Sequence, residues 1–226
     1  MSITKNAVSI LISGDFAPRY RLADSVDSGN FQDIFPDGVR EIVKSADFSF
    51  VNFESPITET GFRPIPKCGP NLHCSQKAAD AIKYAGFTGV TLANNHIMDY
   101  GAEGLHKTLG CCKASGLDVV GVGNNLCDAT SILYLESDGK KLAVINCCEH
   151  EFSIATDTEP GANPLNPIRQ FHQICEAKAN ADYVVVIVHG GHEHFQLPSP
   201  RMQETYRFFI EAGADAVVNP ALLFWL

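Results

Sequence analysis

The sequence predicts a single α/β domain in which buried strands alternate with helices. Short apolar runs alternate along the chain with stretches of helical periodicity, as is typical of layered α/β folds. Two of the apolar runs are nearly continuous valine and isoleucine, as in "DYVVVIVH" (182–189), which indicates strands that are buried on both faces. The 226 residues, of which 45% are hydrophobic, are enough for one substantial core. We therefore expect residues 1–226 to form one domain.

The first half of the chain contains three predicted strands, each followed by a predicted helix. Each apolar run stops at a turn or a polar segment, such as Gly14-Asp15 after the first run. A Pro/Gly-rich loop, "SPITETGFRPIPKCGPN", follows the second strand. The predicted strands are 7–13, 48–54 and 89–93, and the predicted helices are 32–45, 75–85 and 102–115.

The second half adds a hairpin to the same alternation. The turn Ser137-Asp138-Gly139-Lys140 joins the two strands of "SILYLESDGKKLAVINC", because Asp-Gly favours a two-residue hairpin turn. A polar loop at 149–167 contains three prolines. The remaining predicted strands are 117–123, 182–189 and 215–220, and the remaining predicted helices are 168–179 and 200–212.

Composition and charge exclude several classes of protein. The formal net charge is −9, so a nucleic-acid backbone is a poor partner. No apolar stretch approaches the ~18–20 residues that a membrane span needs, and no cleavage site follows the N-terminal apolar run. The eight cysteines include no C-x-x-C pair and lie mostly in apolar surroundings, which indicates free thiols in a reducing compartment. We therefore expect a cytoplasmic protein with no nucleic-acid partner.

Side chains that can bind a metal ion follow four of the predicted strands. They are Asp15, Glu54, the Asn94-Asn95-His96 run and His189. The carboxyl ends of strands in layered α/β folds converge on a common crevice, where ligands bind. Carboxylates, an amide and an imidazole suit divalent manganese, zinc or iron. A carboxylate shared between two such ions would make a two-metal hydrolytic site.

Each of these residues also has a purely structural interpretation. Asp15 could cap a turn, Glu54 could be a solvated strand end, and His189 could be a core histidine. The two asparagines, Asn94 and Asn95, could cap the following helix. The occurrence of all of them at equivalent strand ends favours a shared metal site.

Several segments together resemble a known family. They are "ISGDFAP", "VNFESPIT", "LANNHIMDYGAEGLHKTL", "VVIVHGGHEHFQLPSPRMQ" and "IEAGADAVVNP". In this order they resemble the CapA-type proteins of poly-γ-glutamate capsule biosynthesis, which are similar to calcineurin-like metallophosphoesterases. The resemblance covers about residues 8–220. It implies a four-layer αββα sandwich of two mixed sheets.

The resemblance also implies roles for the strand-end residues. Asp15 matches the first metal-binding aspartate, and Glu54 matches the carboxylate that bridges two ions. Asn95 matches a metal-binding asparagine, and His189 matches a later histidine ligand. His96 matches the histidine that faces the substrate phosphate, as general acid or as stabiliser of the transition state.

Further residues are predicted around this centre. Asp99 could orient the imidazole of His96 as a second catalytic residue, or it could cap the following helix. An anionic small molecule or polymer could bind to basic and polar side chains. The predicted substrate-binding residues are Asn94, Arg63, Lys67, His192, Glu193 and His194, with Arg201 a further candidate. The alternative for Arg63, Lys67 and Arg201 is ordinary surface charge, and for His192 and His194 it is a compensating role as metal ligands.

The sequence departs from the family pattern in two places. Ala17 stands where metallophosphoesterases usually have a histidine, which weakens one metal site. After "GADAVVNP" the family continues with further histidines and strands, whereas this sequence ends "ALLFWL". The resemblance therefore predicts missing C-terminal strands and ligands, and an apolar edge through which the protein would self-associate.

Three functions remain open at this point. The first is a metal-dependent hydrolase of a phosphate ester or of an acidic polymer in capsule synthesis, with one or two manganese, iron or zinc ions. The second is a non-catalytic scaffold or binding module with an incomplete metal site. The third, which has no supporting motif, is a hydrolase with Cys148 as nucleophile and His150 or His189 as base.

Overall fold

Ten strands and eight helices occupy residues 8–191 and 197–220, which are the residues that the structure, a computed structural model, describes. The strands are β1 (Ile10–Phe16), β2 (Phe48–Phe53), β3 (Gly89–Thr91), β4 (Asp118–Val120), β5 (Val122–Gly123), β6 (Leu133–Ser137), β7 (Lys140–Cys148), β8 (Gly161–Ala162), β9 (Tyr183–His189) and β10 (Ala216–Val218). The helices are α1 (Arg21–Ser28), α2 (Phe31–Ile34), α3 (Asp37–Ser45), α4 (Lys77–Ala85), α5 (Gly101–Ala114), α6 (Leu126–Ala129), α7 (Pro167–Asn180) and α8 (Pro200–Glu211).

The strands form two four-stranded sheets and one small ribbon. The first sheet has the order β1-β2-β3-β4, and all of its pairs are parallel. The second has the order β10-β9-β7-β6, in which only the β6–β7 hairpin is antiparallel. Strands β5 and β8 pair as an antiparallel ribbon.

Three apolar clusters show how these sheets are layered. Between the sheets, Phe50 of β2 packs with Leu142 of β7 and Ile187 of β9. Helices α4 and α5 cover the other face of the first sheet, where residues such as Leu105 meet Phe53. On the far face of the second sheet, α7 and α8 pack against β7 and β9. This arrangement is the predicted αββα sandwich, with a parallel first sheet and a mixed second sheet.

Local sequence signals explain where the longer helices begin and end. Asn166 and Ser199 cap α7 and α8 by accepting backbone N–H groups, and a proline follows each cap at the first helical position. Gly86 ends α4 in a left-handed conformation with φ 100°. The predicted helix at 32–45 is instead two helices, α2 and α3, because Pro36 interrupts the helical hydrogen bonds.

The alternation of side chains along β2 and β9 directs polar groups between the sheets. In β2, Phe48 and Phe50 face the second sheet, and Asn52 continues the same face at the end of the strand. In β9, Ile187 faces the first sheet, and His189 follows two residues later on that face. The space between the carboxyl ends of the two sheets is therefore polar, although the rest of it is apolar.

A β-bulge places Asp15 in the same space. The register of β1 against β2 shifts between Ser13 and Asp15, so that Asp15 pairs with Asn52. In an unbroken strand Gly14 would take that position, and Asp15 would face the helices. The strand also continues to Phe16, so Asp15 lies within β1 and not after it as the sequence predicts.

The rest of the chain follows the sequence predictions with a few differences. Asp138 and Gly139 both have positive φ, 50° and 73°, in the predicted hairpin turn. The predicted strand at 117–123 is interrupted at Gly121, whose φ is 96° and whose Cα faces the Asn146 side chain so closely that a Cβ would overlap it. Helices α1 and α6 and strand β8 are short and were not predicted from the sequence.

Two predictions concern the surface and the membrane. Strand β10 lies at the edge of the second sheet, but residues 221–226 of the proposed apolar edge are outside the described residues. Self-association through that edge stays a prediction. Among the described residues, none of the helices has the length and apolar character needed to cross a membrane.

Candidate metal centre

Three of the predicted metal ligands form one cluster at the carboxyl ends of the strands. One ligand atom each from Asp15 in β1, Glu54 directly after β2 and His189 at the end of β9 lie within 4.8 Å of one another. His189 Nδ1 is 3.7 Å from Asp15 Oδ1, and His189 Nε2 is 3.6 Å from Glu54 Oε1. The histidine is therefore contributed by one sheet and the two carboxylates by the other. In the described part of the chain, this is the one cluster of at least three acidic, histidine or cysteine side chains with such spacing.

Asn95 adds an amide oxygen to the cluster. Its Oδ1 lies 3.1 Å from His189 Nε2, in the turn that leads from β3 to α5. The two carboxylates, the imidazole and the amide thus lie in or after four different strands, β1, β2, β3 and β9, near their carboxyl ends. This donor set of oxygen and imidazole nitrogen fits a divalent manganese, iron or zinc ion.

Glu54 is in an environment that opposes its negative charge. Burial is the main reason that the pKa of the Glu54 carboxyl is raised to about 8. The negative charge of Asp15 adds most to this increase, followed by those of Asp99 and Glu151. The ammonium of Lys67 acts in the opposite direction. A divalent cation beside Glu54 would compensate these negative charges.

The other two members of the cluster are perturbed in ways that also suit a cation. Burial raises the pKa of Asp15, although the hydrogen bond from Asn52 and the nearby His96 lower it. Burial lowers the pKa of His189 to about 3, with a smaller effect of the same sign from His96. His189 is consequently a neutral imidazole at neutral pH, which is the protonation state that binds metals.

Asn52 is hydrogen-bonded to two members of the cluster, and the sequence did not predict this role. Its Nδ2 donates to Asp15 Oδ1 at 2.6 Å and lies 3.0 Å from His189 Nδ1. Its Oδ1 accepts from Asn94 Nδ2 at 3.3 Å. The alternation of "FSFVNF" contains the signal, because Asn52 is the one polar residue on the face that Phe48 and Phe50 turn to the second sheet.

Asn94 is buried behind Asn52 and fixes its orientation. Asn94 Nδ2 also donates to the carbonyl of Phe53 at 3.0 Å, and Asn94 Oδ1 accepts the backbone N–H of His96 at 3.1 Å. With both ends of this amide set by the backbone, Asn52 must present its oxygen to Asn94 and its NH2 group to Asp15 and His189. Substrate binding by Asn94 stays a prediction.

His96 and Asp99 lie beside the cluster in the predicted relation. His96 Nδ1 is 2.7 Å from Asp99 Oδ2, which leaves Nε2 on the other side of the ring. Helix α5 has no side-chain cap at its N-terminus, so Asp99 does not cap it. Lys67 completes this group, with its Nζ in contact with Asp99 Oδ1 and 3.2 Å from His96 Nδ1.

The remaining predicted substrate residues are spread around the site. Arg63 is exposed in the loop after β2. Arg201, at the start of α8, donates to Glu149 Oε1 at 2.6 Å. Both Glu149 and Arg201 line a cavity of about 170 Å³, with His150, Glu151 and Leu165. The backbone N–H of Glu149 donates to the carbonyl of His189, which places this cavity next to the cluster. His192, Glu193 and His194 are outside the described residues.

The chain matches the model of a known protein family. The model of the family "Bacterial capsule synthesis protein PGA_cap" matches residues 9–220. A "Capsule biosynthesis protein CapA" from Bacillus anthracis is 37% identical over 189 residues, which are 80% of this chain and 46% of the relative. A "PGA biosynthesis protein CapA" from Bacillus subtilis (strain 168) is 34% identical over 186 residues, 80% of this chain and 48% of the relative. The chain spans about half the length of the curated relatives it matches.

Solved structures support the fold. A hypothetical protein from Thermus thermophilus superimposes with a TM-score of 0.53 at 16% identity, covering 95% of this chain and 68% of the other. A provisionally assigned 5'-nucleotidase from Staphylococcus aureus, solved with alpha-ketoglutarate, gives a TM-score of 0.51 at 18% identity, covering 80% and 38%. At these identities the comparison shows a shared fold.

Proposed function

The chain belongs to the PGA_cap family of bacterial capsule synthesis proteins, and we propose that it is a metal-dependent hydrolase that acts on a phosphate ester or an acidic polymer. The observation that carries this proposal is the cluster of Asp15, Glu54 and His189, with Asn95 beside it. These residues would hold one or two manganese, iron or zinc ions. A bound divalent ion activates water for attack and polarises the bond that is cleaved.

His96 is the residue best placed to act on the substrate. Its Nδ1 is occupied by Asp99, so the opposite ring nitrogen is available to a leaving group or to a developing negative charge. Its side chain keeps 13% of its surface exposed, whereas Asp99 is fully buried. Asp99 therefore acts on the imidazole and not on the substrate.

An anionic substrate fits this centre for two reasons. A cation held by Asp15 and Glu54 would attract a phosphate or carboxylate group, although the chain as a whole carries a formal charge of −9. The names of the relatives connect the family with capsule and PGA biosynthesis, so an acidic polymer is one substrate class for this chain. The exposed Arg63 remains available for contact with such a polymer.

The alternative is a non-catalytic scaffold or binding module in polymer synthesis or export. The observation in its favour is the number of ligands, since the described residues supply one cluster of three strong ligands and an amide. Ala17, where metallophosphoesterases usually have histidine, adds none. A single weakly held ion would bind an anionic polymer without cleaving it.

A cysteine nucleophile is disfavoured by the structure. Cys148 is buried at the end of β7, and burial raises the pKa of its thiol to about 12. The thiolate is the nucleophilic form, so at neutral pH Cys148 would be almost entirely unreactive. The eight thiols are all free, and a cytoplasmic location remains a prediction that rests on them.

Hydrolysis of model substrates with and without metal tests the proposal. The protein is loaded with Mn²⁺, Fe²⁺ or Zn²⁺ and assayed with bis(p-nitrophenyl) phosphate, p-nitrophenyl phosphate and γ-glutamyl p-nitroanilide. We expect metal-dependent turnover of at least one of them, and a loss of kcat of about 10²–10⁴-fold in His96→Ala. The control is His106→Ala, which removes an exposed histidine bonded to Asn124. Metal-loaded protein that turns over none of the three would favour the scaffold.

A further inference from the structure

The loop at residues 55–76, between β2 and α4, lies beside the candidate centre, and three residues in its middle part, Ile65, Lys67 and Leu72, bond to Asp99. The backbone N–H of Ile65 donates to the carbonyl of Asp99 at 2.9 Å. The backbone N–H of Leu72 donates to Asp99 Oδ2 at 2.6 Å. Lys67 contacts Asp99 Oδ1 from the same loop. Asp99 therefore holds the loop through both of its carboxylate oxygens and through its main chain.

Lys67 is an unusual lysine because its charged end is buried. Its side chain is 2% exposed, and that of Asp99 is fully buried. The ring of Phe152 also lies over the ammonium, with its centre 5.5 Å from Nζ. A buried lysine and a buried carboxylate each require a partner, and here each is the charged partner of the other. Surface lysines that bind substrates keep their ammonium groups in water.

The same carboxylate also sets the ring of His96. Asp99 Oδ2 receives both the Leu72 N–H and the imidazole Nδ1 of His96, while Lys67 holds Oδ1. The rotation of this one carboxylate therefore determines both contacts. If the ammonium is removed, the carboxylate loses the bond that fixes its rotation, and the loop and the imidazole lose their common anchor.

We infer that Lys67 is a positioning residue, which clamps the 55–76 loop onto Asp99 and thereby fixes the imidazole of His96 toward the metal centre. This inference deepens the proposed function and rests on it for the role of His96. In this role Lys67 acts through Asp99 and does not contact the substrate, whereas the sequence predicts it as a substrate-binding residue. The position of the loop and the orientation of the His96 imidazole therefore depend on the same bond between Lys67 and Asp99.

Hydrogen exchange of the loop tests the clamp without any assay of activity. In Lys67→Met, which keeps most of the side-chain stem but removes the charge, we expect the amides of Ile65 and Leu72 to exchange about tenfold faster or more. Amides of β2 and β9 should keep their parental rates. The control is Lys140→Met, which breaks the exposed pair of Lys140 with Asp182 and should change neither loop amide.

Imidazole 15N spectra test the second half of the inference. For a neutral ring, the two nitrogen shifts report which nitrogen carries the proton. The parent should show His96 protonated at Nδ1, and Lys67→Met should show its two nitrogen signals moving toward each other as the tautomers mix. His106 should be unchanged. If Lys67→Met does not fold, Lys67→Gln keeps a donor to Asp99 and should give intermediate values for both measurements.

Parental exchange at Ile65 and Leu72 in Lys67→Met, or unchanged His96 signals, would overturn the inference. Faster exchange throughout the molecule would also overturn it, because Lys67 would then contribute only to global stability. A protein that binds no metal would overturn the proposed function and leave the exchange result intact. The two failures are therefore distinguishable.

Discussion

Glu54 shows most clearly what the cluster requires from a ligand. It directly follows the strand that supplies Asn52, and its carboxyl lies among other acidic groups with little access to water. The strand-end pattern was sufficient to predict Asp15, Glu54, Asn95 and His189 as neighbours, because parallel strands bring their carboxyl ends to one edge. The pattern did not predict that Lys67 is buried, since this loop side chain is buried against Asp99, which lies 32 positions away in the chain.

We predict that the metal-free protein loses stability as the pH rises from 6.5 to about 8. The pKa of Glu54 is about 8 in the fold and 4.5 ordinarily, so in this range the folded protein binds more protons than the unfolded chain. His189 has the opposite effect, because its pKa falls from 6.5 to about 3, but most of that stability gain occurs below pH 6.5 and only a small remainder falls in this range. Thermal melting in chelator measures the decline.

Glu54→Gln provides the comparison, because glutamine cannot titrate. Its melting temperature in chelator should stay nearly level between pH 6.5 and pH 8, and Glu103→Gln, which changes an exposed residue of α5, should decline like the parent. An equal decline in Glu54→Gln and in the parent would contradict the assignment.

At the scale of elements, backbone irregularities shape the centre more than the regular strands do. The bulge in β1 turns Asp15 toward the second sheet. Gly121 allows the backbone to lie close to Asn146 and Ala93, because a Cβ at this position would overlap both. The Asn146 side chain in turn accepts the backbone N–H of Ala93, directly before the Asn94-Asn95-His96 turn. Apolar runs predicted the strands well, whereas the bulge and the break at Gly121 depend on neighbouring strands and left no clear local signal.

Gly121→Ala is predicted to be strongly destabilising. The left-handed φ of 96° costs alanine about 1–2 kcal/mol, and overlap of the new Cβ with Asn146 and Ala93 adds about 1–3 kcal/mol. Gly139→Ala is the matched control, because its φ is 73° and no atom lies within 4 Å of the new Cβ. Urea denaturation compares the two. Equal losses would show that the contact with Asn146 carries no weight.

At the scale of the whole molecule, the site exists because two sheets meet. The carboxylates come from the parallel sheet and His189 from the mixed sheet, so the packing of Phe50 against Ile187 sets the distance between the ligands. The αββα class could be predicted from the alternation of strands and helices together with the family resemblance. The hydrogen bonds that connect Asn94 to Asn52 and Asn52 to His189 could not be predicted, because they depend on how the two sheets pack.

The most direct test of the central claim is elemental analysis of the purified protein beside Glu54→Ala, with Glu103→Ala as the control. We expect about one or two equivalents of manganese, iron or zinc in the parent and in the control, and a large loss in Glu54→Ala. Circular dichroism establishes that all three are folded. Folded parent protein that takes up no metal after reconstitution, or Glu54→Ala with the parental metal content, would contradict a metal centre at Asp15, Glu54 and His189.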